Sequence, residues 1–158
     1  MPELKPAARR FLEAARAAGL DIEIVTHPRS TRTAEEAAAA CGCAVGQIVK
    51  SLVFQGLVSR VPILLLVSGA NRVDESHVAA AVGEALKRPD AAYVREVTGY
   101  AIGGIPPIGH TTRLRTFIDR DLLRYETVWA AAGAPDSVFR VAPAALATAA
   151  DATTISVV

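Results

Sequence analysis

The stretch QIVKSLVFQGLVSRVPILLLV, residues 47–67, contains the two strongest strand signals in the chain. Residues 47–54 are rich in β-branched and aromatic side chains, which favour strands. Residues 61–67 form an almost unbroken apolar run, which is typical of a strand buried on both faces. The six residues between the two segments are few enough for a hairpin. The sequence therefore predicts an antiparallel pair whose second strand lies in the centre of a sheet.

Helices and shorter strands are predicted on both sides of this hairpin. Apolar periodicity and end signals, including a Thr33 and Glu36 capping box, predict helices over residues 6–18, 33–42, 75–81, 89–97 and from 143 onward. Alternation and β-branched content predict strands over residues 21–25, 114–118 and 137–141, a strand or extended segment over 126–131, and a β-branched tail at 153–158. Residues 119–123 are predicted to form a turn. The helices do not alternate regularly with the strands, so we expect one α/β domain, residues 1–158, with a mixed sheet.

The net charge and the hydropathy of the chain limit the classes of protein to which it can belong. The 17 basic and 16 acidic residues leave a net charge of +1, which disfavours a dedicated duplex-binding protein. A local cluster of arginines after residue 110 either contacts phosphates or forms a solvated surface: Arg113, Arg115, Arg120 and Arg124. No apolar run approaches a membrane span of roughly 20 residues, and the N-terminus lacks a signal-peptide layout. We therefore expect a soluble cytoplasmic protein without a membrane partner.

The cysteines and glycines do not match common cofactor motifs. Cys41 and Cys43 are separated by one residue, which is neither a paired zinc-ligand spacing nor a redox pair. With only three histidines in the chain, we expect two partly buried free thiols and neither a metal nor a cofactor. The glycine spacing of a dinucleotide-binding turn and the lysine of a P-loop are also absent.

Lys50 lies in an apolar row of the first predicted strand. Alternation places it on one face with Ile48, Leu52 and Phe54. Burying an ammonium group is costly unless it is paired or meets an anion. Lys50 therefore either extends to solvent at a sheet edge or faces a pocket.

The segment GYAIGGIPPIGH, residues 99–110, contains four glycines and two prolines. Neither a helix interior nor a central strand tolerates this density, so the segment is predicted to be a loop. Glycine lets another molecule approach the backbone closely, and proline stiffens the path. The loop is therefore either a tight connection or the wall of a ligand pocket.

Four features match one family together: residues 48–54 centred on Lys50, residues 68–74, the pair Gly99-Tyr100, and Gly103-Gly104 followed by Pro107-x-Gly109. With these features the chain resembles the YbaK/ProX-like aminoacyl-tRNA deacylases, free-standing relatives of the editing domain of bacterial prolyl-tRNA synthetases. The resemblance extends from the Thr33 helix to the final helix and strand. It implies a mixed sheet, partly curled into a barrel and flanked by helices. It also implies hydrolysis of mischarged aminoacyl-tRNA, namely proline tRNA carrying cysteine or alanine, with prolyl-tRNA synthetase as a candidate partner.

The resemblance assigns roles to individual residues. Lys50 becomes the catalytic side chain. The backbone wall around the esterified amino acid and terminal adenosine is then formed by Gly103, Gly104, Pro107 and Gly109. Ile105 and Pro106 occupy family-variable positions, where the second proline would narrow or stiffen the pocket. The remaining substrate-binding candidates are Ser68, Gly69 and His110.

Ester hydrolysis mainly requires a positioned water and stabilisation of the tetrahedral oxyanion. We hypothesise that Lys50 supplies positive charge near a phosphate or the oxyanion, and that the N–H groups of Gly103 and Gly104 complete the cradle. No protein base is evident, and the resemblance implies help from the substrate itself, through its ribose hydroxyl or its amino-acid side chain. His110 is either a base or a hydrogen-bonded loop cap, and Asp119 either orients a basic group or lies in an exposed turn. A non-catalytic tRNA- or synthetase-associated module and a small-molecule ester hydrolase remain the alternatives.

Overall fold

The hairpin predicted from residues 47–67 forms the middle of an eight-stranded mixed sheet in a computed structural model that describes residues 3–158. The helices are α1 (Pro6–Ala17), α2 (Ala34–Cys41), α3 (Glu75–Val82), α4 (Ala91–Thr98) and α5 (Pro143–Ala149). The strands are β1 (Ile24–Thr26), β2 (Ile48–Gly56), β3 (Pro62–Ser68), β4 (Leu86–Lys87), β5 (Arg115–Asp119), β6 (Val128–Ala131), β7 (Ser137–Val141) and β8 (Thr153–Ile155). Short 3-10 turns cover Val45–Gln47 and Arg120–Arg124.

The strand order is β1-β7-β6-β2-β3-β5-β8, and β4 pairs with the far end of β2. The β2–β3, β6–β7 and β1–β7 pairs are antiparallel, whereas β2–β6, β3–β5 and β5–β8 are parallel. The predicted mixed α/β sheet with flanking helices is thus confirmed. None of the helices within residues 3–158 has the length and apolar character needed to cross a membrane.

The central position of β3 is confirmed by its burial. Its leucines at 64, 65 and 66 are fully buried. Leu64 and Leu66 belong to the core that contains Phe11 and Phe139, while Leu65 lies on the opposite face in the core that contains Phe54. Because both faces of the strand are covered, an unbroken apolar run is needed there instead of an alternating one.

Several boundaries differ from the sequence prediction for local reasons. The strand predicted over residues 21–25 is shorter and later, at Ile24–Thr26, where it pairs with β7. β4 was not predicted, because two residues are too short to show any periodicity. The predicted turn at residues 119–123 is a 3-10 turn, and the Asp119 side chain caps it by accepting the Asp121 N–H at 2.9 Å.

The predicted capping box at the start of α2 is confirmed. Thr33 Oγ1 accepts the Glu36 N–H at 3.1 Å, and Glu36 Oε1 accepts the Thr33 N–H at 3.2 Å. The two bonds satisfy backbone donors that a helix start leaves without partners. They also fix the path of the preceding loop, which reaches the functional site described below.

Candidate functional site

A cavity of about 380 Å³ lies beside β2 where that strand loses its neighbours on one edge. β6 pairs with β2 only through Ile48 and Val49, and β4 pairs with it only at Gln55 and Gly56. The lining residues are Thr31, Arg32, Thr33, Ala34, Ala37, Ile48, Val49, Lys50, Ser51, Leu52, Ile102, Gly103, Ile105, Trp129, Ala130, Ala131 and Val138. The volume is within the range of roughly 300 to 1,000 Å³ found for small-ligand sites.

Lys50 lines this cavity, so of the two positions considered for it the structure places it in a pocket wall. Its Nζ donates a hydrogen bond to the Asn71 carbonyl oxygen at 2.6 Å. Burial lowers the pKa of the ammonium from its ordinary value of 10.5, while the negative charges of Glu35 and Asp119 oppose that shift. Among residues 3–158 this is the one hydrogen bond of Nζ, so two N–H donors are left for a ligand.

Asp119 holds the turn that anchors Lys50. Its Oδ2 accepts the Ser68 N–H at 3.0 Å and the Asn71 side-chain amide at 2.8 Å. The expectation of an exposed turn residue is wrong, since Asp119 is 1% exposed. The hydrogen-bonding requirement of a buried carboxylate explains this position, and the carboxylate orients Lys50 indirectly, through Asn71.

Ser68 and Gly69 lie next to the site but are not among its lining residues. The Ser68 hydroxyl donates to the Gly46 carbonyl at 2.7 Å, which ties β3 to the turn before β2. A Cβ on Gly69 would stand 2.4 Å from the Val45 carbonyl oxygen, so this glycine permits close backbone packing. Both residues therefore pack the end of β3 against the turn that precedes β2, beside the cavity.

The first half of the glycine loop faces the Lys50 cavity. Gly103 and Ile105 line it, whereas Gly104 does not. The Gly104 N–H donates to the Ala101 carbonyl at 3.1 Å and is therefore already paired inside the loop. A Cβ on Gly104 would stand 3.0 Å from the backbone of Ala134, so this glycine is required for packing.

The second half of the loop faces a different cleft of about 720 Å³. Its lining includes Pro107, Ile108, Gly109, His110, Arg113 and Arg115. His110 Nε2 lies 2.7 Å from the Pro106 carbonyl oxygen, and this hydrogen bond stabilises the conformation of the loop. Burial lowers the pKa of His110, and the bond to Pro106 opposes that shift. The structure therefore does not bring Pro106, Pro107, Gly109 and His110 to Lys50.

Arg32, Ser51 and Trp129 are among the lining residues that were not singled out from the sequence. Arg32 is exposed, and its stem packs on Gly103, where an added Cβ would be 3.0 Å from Arg32 Cγ. Gly103 has φ +99°, a conformation that favours glycine. Ser51 was detectable as a polar residue between two apolar ones on the other face of β2, and Trp129 as the chain's one tryptophan.

The remaining candidates lie outside the cavity. Cys41 and Cys43 are partly buried free thiols, as expected. Burial raises the pKa of Cys41 to about 11, with a smaller contribution from Cys43, so neither thiol resembles an activated nucleophile. Within residues 3–158 no three His, Cys, Asp or Glu side chains are grouped so that they could hold a metal ion.

The mixed sheet with a lysine-lined cavity beside an incompletely paired strand defines an α/β domain whose cavity has the size of a small-ligand site. Residues 28–149 match the family model described as the aminoacyl-tRNA editing domain. The chain therefore belongs to the aminoacyl-tRNA editing domain family and has a role in tRNA editing. The resemblance stated from the sequence is confirmed.

Similar proteins span nearly the same length. The uncharacterised protein YwhH of Bacillus subtilis (strain 168) is 30% identical over 121 residues, which are 77% of this chain and 76% of YwhH. The crystal structure of a proposed trans-editing enzyme for prolyl-tRNA synthetase is 46% identical, with a TM-score of 0.92 and 98% of each chain covered. That of hypothetical protein APE2540 is 27% identical, with a TM-score of 0.86 and 94% of this chain and 98% of the other covered.

Proposed function

We propose that the protein is an aminoacyl-tRNA deacylase that hydrolyses the ester between a wrongly attached amino acid and the terminal ribose of tRNA. The observation that carries the proposal is the Lys50 ammonium, anchored on the Asn71 carbonyl in the wall of the cavity. The 46% identity to a proposed trans-editing enzyme for prolyl-tRNA synthetase supports proline tRNA as the substrate, and prolyl-tRNA synthetase as a partner in the cell.

The charges in the cavity favour an anionic substrate and an anionic transition state. Its lining includes two cations, Lys50 and Arg32, and within the described chain it includes no carboxylate, histidine or thiol. A water oxygen attacks the ester carbonyl carbon, and the carbonyl oxygen becomes an oxyanion. Collapse of the intermediate breaks the bond to the ribose oxygen, which takes a proton. The Lys50 charge stabilises the oxyanion, which is the main requirement of this reaction.

The absence of a protein base from the described lining supports help from the substrate. The ribose hydroxyl next to the ester is within reach of the attacking water in any bound aminoacyl-adenosine. A hydroxyl there orients the water and relays its proton, so the protein supplies position and charge.

The apolar character of part of the cavity lining supports an amino acid with an uncharged side chain. Ala130, Ala131, Val138 and Ile105 line one part of it, and all are apolar. Alanine and cysteine fit such surroundings, because neither introduces a charge that needs a buried partner. We therefore propose cysteine or alanine on proline tRNA as the substrates.

Arg32 is positioned to bind the tRNA backbone. It is exposed at the cavity, its stem packs on Gly103, and among residues 3–158 its side chain forms no ion pair. A guanidinium group binds phosphate oxygens with two parallel hydrogen bonds. We assign Arg32 to a phosphate of the acceptor end.

The test is deacylation of proline tRNA charged in turn with cysteine, alanine, serine or proline, with free aminoacyl esters as the control. Turnover of cysteinyl- or alanyl-tRNA, with prolyl-tRNA and the free esters left intact, is the expected result. Turnover of the free esters as well would instead indicate a general ester hydrolase. Binding of tRNA without turnover would indicate a non-catalytic module and contradict the proposal.

A further inference from the structure

Ser51 has an unpaired polar side chain at the cavity. Its Oγ is buried and has no hydrogen-bond partner among residues 3–158, although the residue lines the cavity. Buried hydroxyl groups in native proteins are nearly always hydrogen-bonded. An unpartnered hydroxyl beside a cavity therefore points to a ligand atom that completes it.

The backbone of Ser51 is directed toward the same open edge. At the two ends of the hairpin, the Gly56 N–H bonds to the Val61 carbonyl and the Gly69 N–H bonds to the Ile48 carbonyl. Bonded residues alternate along an antiparallel pair, so the even-numbered residues of β2 bond to β3 and the odd-numbered ones point the other way. Ser51 is odd-numbered, so its backbone N–H points away from β3, toward the open edge of β2.

No strand covers that edge at Ser51 within the part of the chain that the structure describes. β6 pairs with β2 only as far as Val49, and β4 begins to pair at Gln55. The Ser51 N–H is thus directed into the gap beside which the cavity lies. The residue offers two donors, its N–H and its hydroxyl, at the cavity that Lys50 lines from the opposite face of β2.

These donors match the carbonyl oxygen of an acyl ester, which accepts hydrogen bonds and becomes more basic as the tetrahedral intermediate forms. Of the two loop N–H groups predicted to bind the oxyanion, that of Gly104 is already bonded to Ala101, which leaves the Gly103 N–H as the donor from the loop. Ser51 itself is not a nucleophile, because no base lies within hydrogen-bond distance of its hydroxyl in the described residues.

We propose that Ser51 is an oxyanion donor of the deacylation reaction. Its hydroxyl, which has no bond to lose, turns about the Cα–Cβ bond and joins its N–H in binding the ester carbonyl oxygen. Both bonds strengthen as that oxygen takes the negative charge, and the ammonium of the preceding Lys50 adds to the stabilisation. This inference rests on the proposed deacylase function.

The experiment compares full-length Ser51→Ala and Ser51→Thr with the parent protein on whichever mischarged tRNA the parent hydrolyses. Loss of one oxyanion donor should lower kcat of Ser51→Ala by ~10²-fold with little change in KM, while Ser51→Thr, which keeps a hydroxyl, stays near the parent. Ser156→Ala, a serine outside the cavity lining whose Oγ donates to Val158, is the matched control and should leave kcat unchanged.

Thermal unfolding of the same variants separates this role from a structural one. Because Ser51 Oγ has no partner in the fold, Ser51→Ala should keep or raise the Tm while kcat falls. An unchanged kcat, a loss confined to KM, or an equal loss in Ser51→Thr would overturn the oxyanion role. A parent protein inactive on every mischarged tRNA would remove the proposed function first, and the inference with it.

Discussion

Lys50 and Arg32 are the two cations of the cavity, and they differ in how they are held. The Lys50 ammonium is anchored through Asn71 to the buried Asp119 carboxylate, so its position is fixed by the core. Arg32 is exposed and rests on Gly103. A fixed charge suits a reacting atom, whereas an exposed one suits a phosphate that arrives from solvent.

Replacing Lys50 by alanine should abolish deacylation without unfolding the protein. Loss of the charge near the oxyanion should lower kcat at least about 100-fold. The fold should persist, since the half-buried ammonium forms a single hydrogen bond to Asn71. Circular dichroism measures whether the fold persists, and single-turnover hydrolysis measures the loss of rate. The exposed Lys87→Ala is the control for both. A Lys50→Ala protein as fast as the parent contradicts the assignment.

The pH dependence of the reaction should report the Lys50 charge. Burial lowers the pKa of Lys50 from 10.5, so kcat should fall as pH rises, with a midpoint below that value. Glu35 opposes the shift, so Glu35→Gln should lower the pKa further and move the midpoint to lower pH. The midpoint is measured from the pH profile of kcat after correction for spontaneous ester hydrolysis, and Glu96→Gln is the exposed control. An unmoved midpoint in Glu35→Gln would show that another group controls the profile.

Arg32 should affect tRNA binding but not the chemical step. Removing a charge-assisted hydrogen bond to phosphate should lower kcat/KM for aminoacyl-tRNA about 10-fold in Arg32→Ala, mostly through KM. An aminoacyl-adenosine without phosphates should be hydrolysed equally well by parent and variant. Arg29→Ala, an exposed neighbour outside the lining, serves as the control. An equal loss on both substrates would show that Arg32 acts on the acyl group instead.

The glycine loop is divided between two cavities. Its first part, at Gly103 and Ile105, faces Lys50, and its second part, from Pro107 to His110, faces the larger cleft. Gly104 lies at the division and packs against Ala134. The loop therefore has a packing role between two surfaces in addition to its role as a wall.

Substitution of Gly104 should act on stability. We expect Gly104→Ala to lower the free energy of unfolding by about 1–3 kcal/mol, because the new Cβ meets the Ala134 backbone, which cannot move aside as a flexible side chain can. Urea unfolding of the variant and the parent measures the difference. A variant as stable as the parent but unable to bind an aminoacyl-adenosine analogue would restore the view that Gly104 borders the substrate.

The sequence was most informative where burial and local geometry act together. The apolar run of β3, the Thr33–Glu36 capping box and the β2–β3 hairpin are local patterns, and the structure confirms each. Alternation places Lys50 in an apolar row of β2, because a strand has a fixed period, but it leaves a solvent-exposed sheet edge and a pocket as alternatives.

The parts of the site that could not be predicted depend on contacts distant in sequence. Where β6 stops pairing with β2 is set by the approach of residues about 80 positions apart, and no local pattern encodes it. Two further contacts also join residues far apart in the sequence and could not be predicted from local patterns. They are the packing of Arg32 on Gly103 and the hydrogen bond from the Asn71 side chain to Asp119. His110 could be anticipated as a loop cap, but the second cleft that it faces could not.

The short pairing of β2 with β6 also affects how such a protein can change during evolution. Ala130, Ala131, Val138 and Ile105 border the cavity from strands and a loop other than the one that carries Lys50. A larger or smaller side chain at any of them reshapes the cavity without disturbing the hydrogen bonds of the β2–β3 hairpin. Under the proposed function, substrate choice and reaction chemistry are thus separable, and we expect that a few exchanges at these positions redirect the scaffold to another amino acid while Lys50 stays in place.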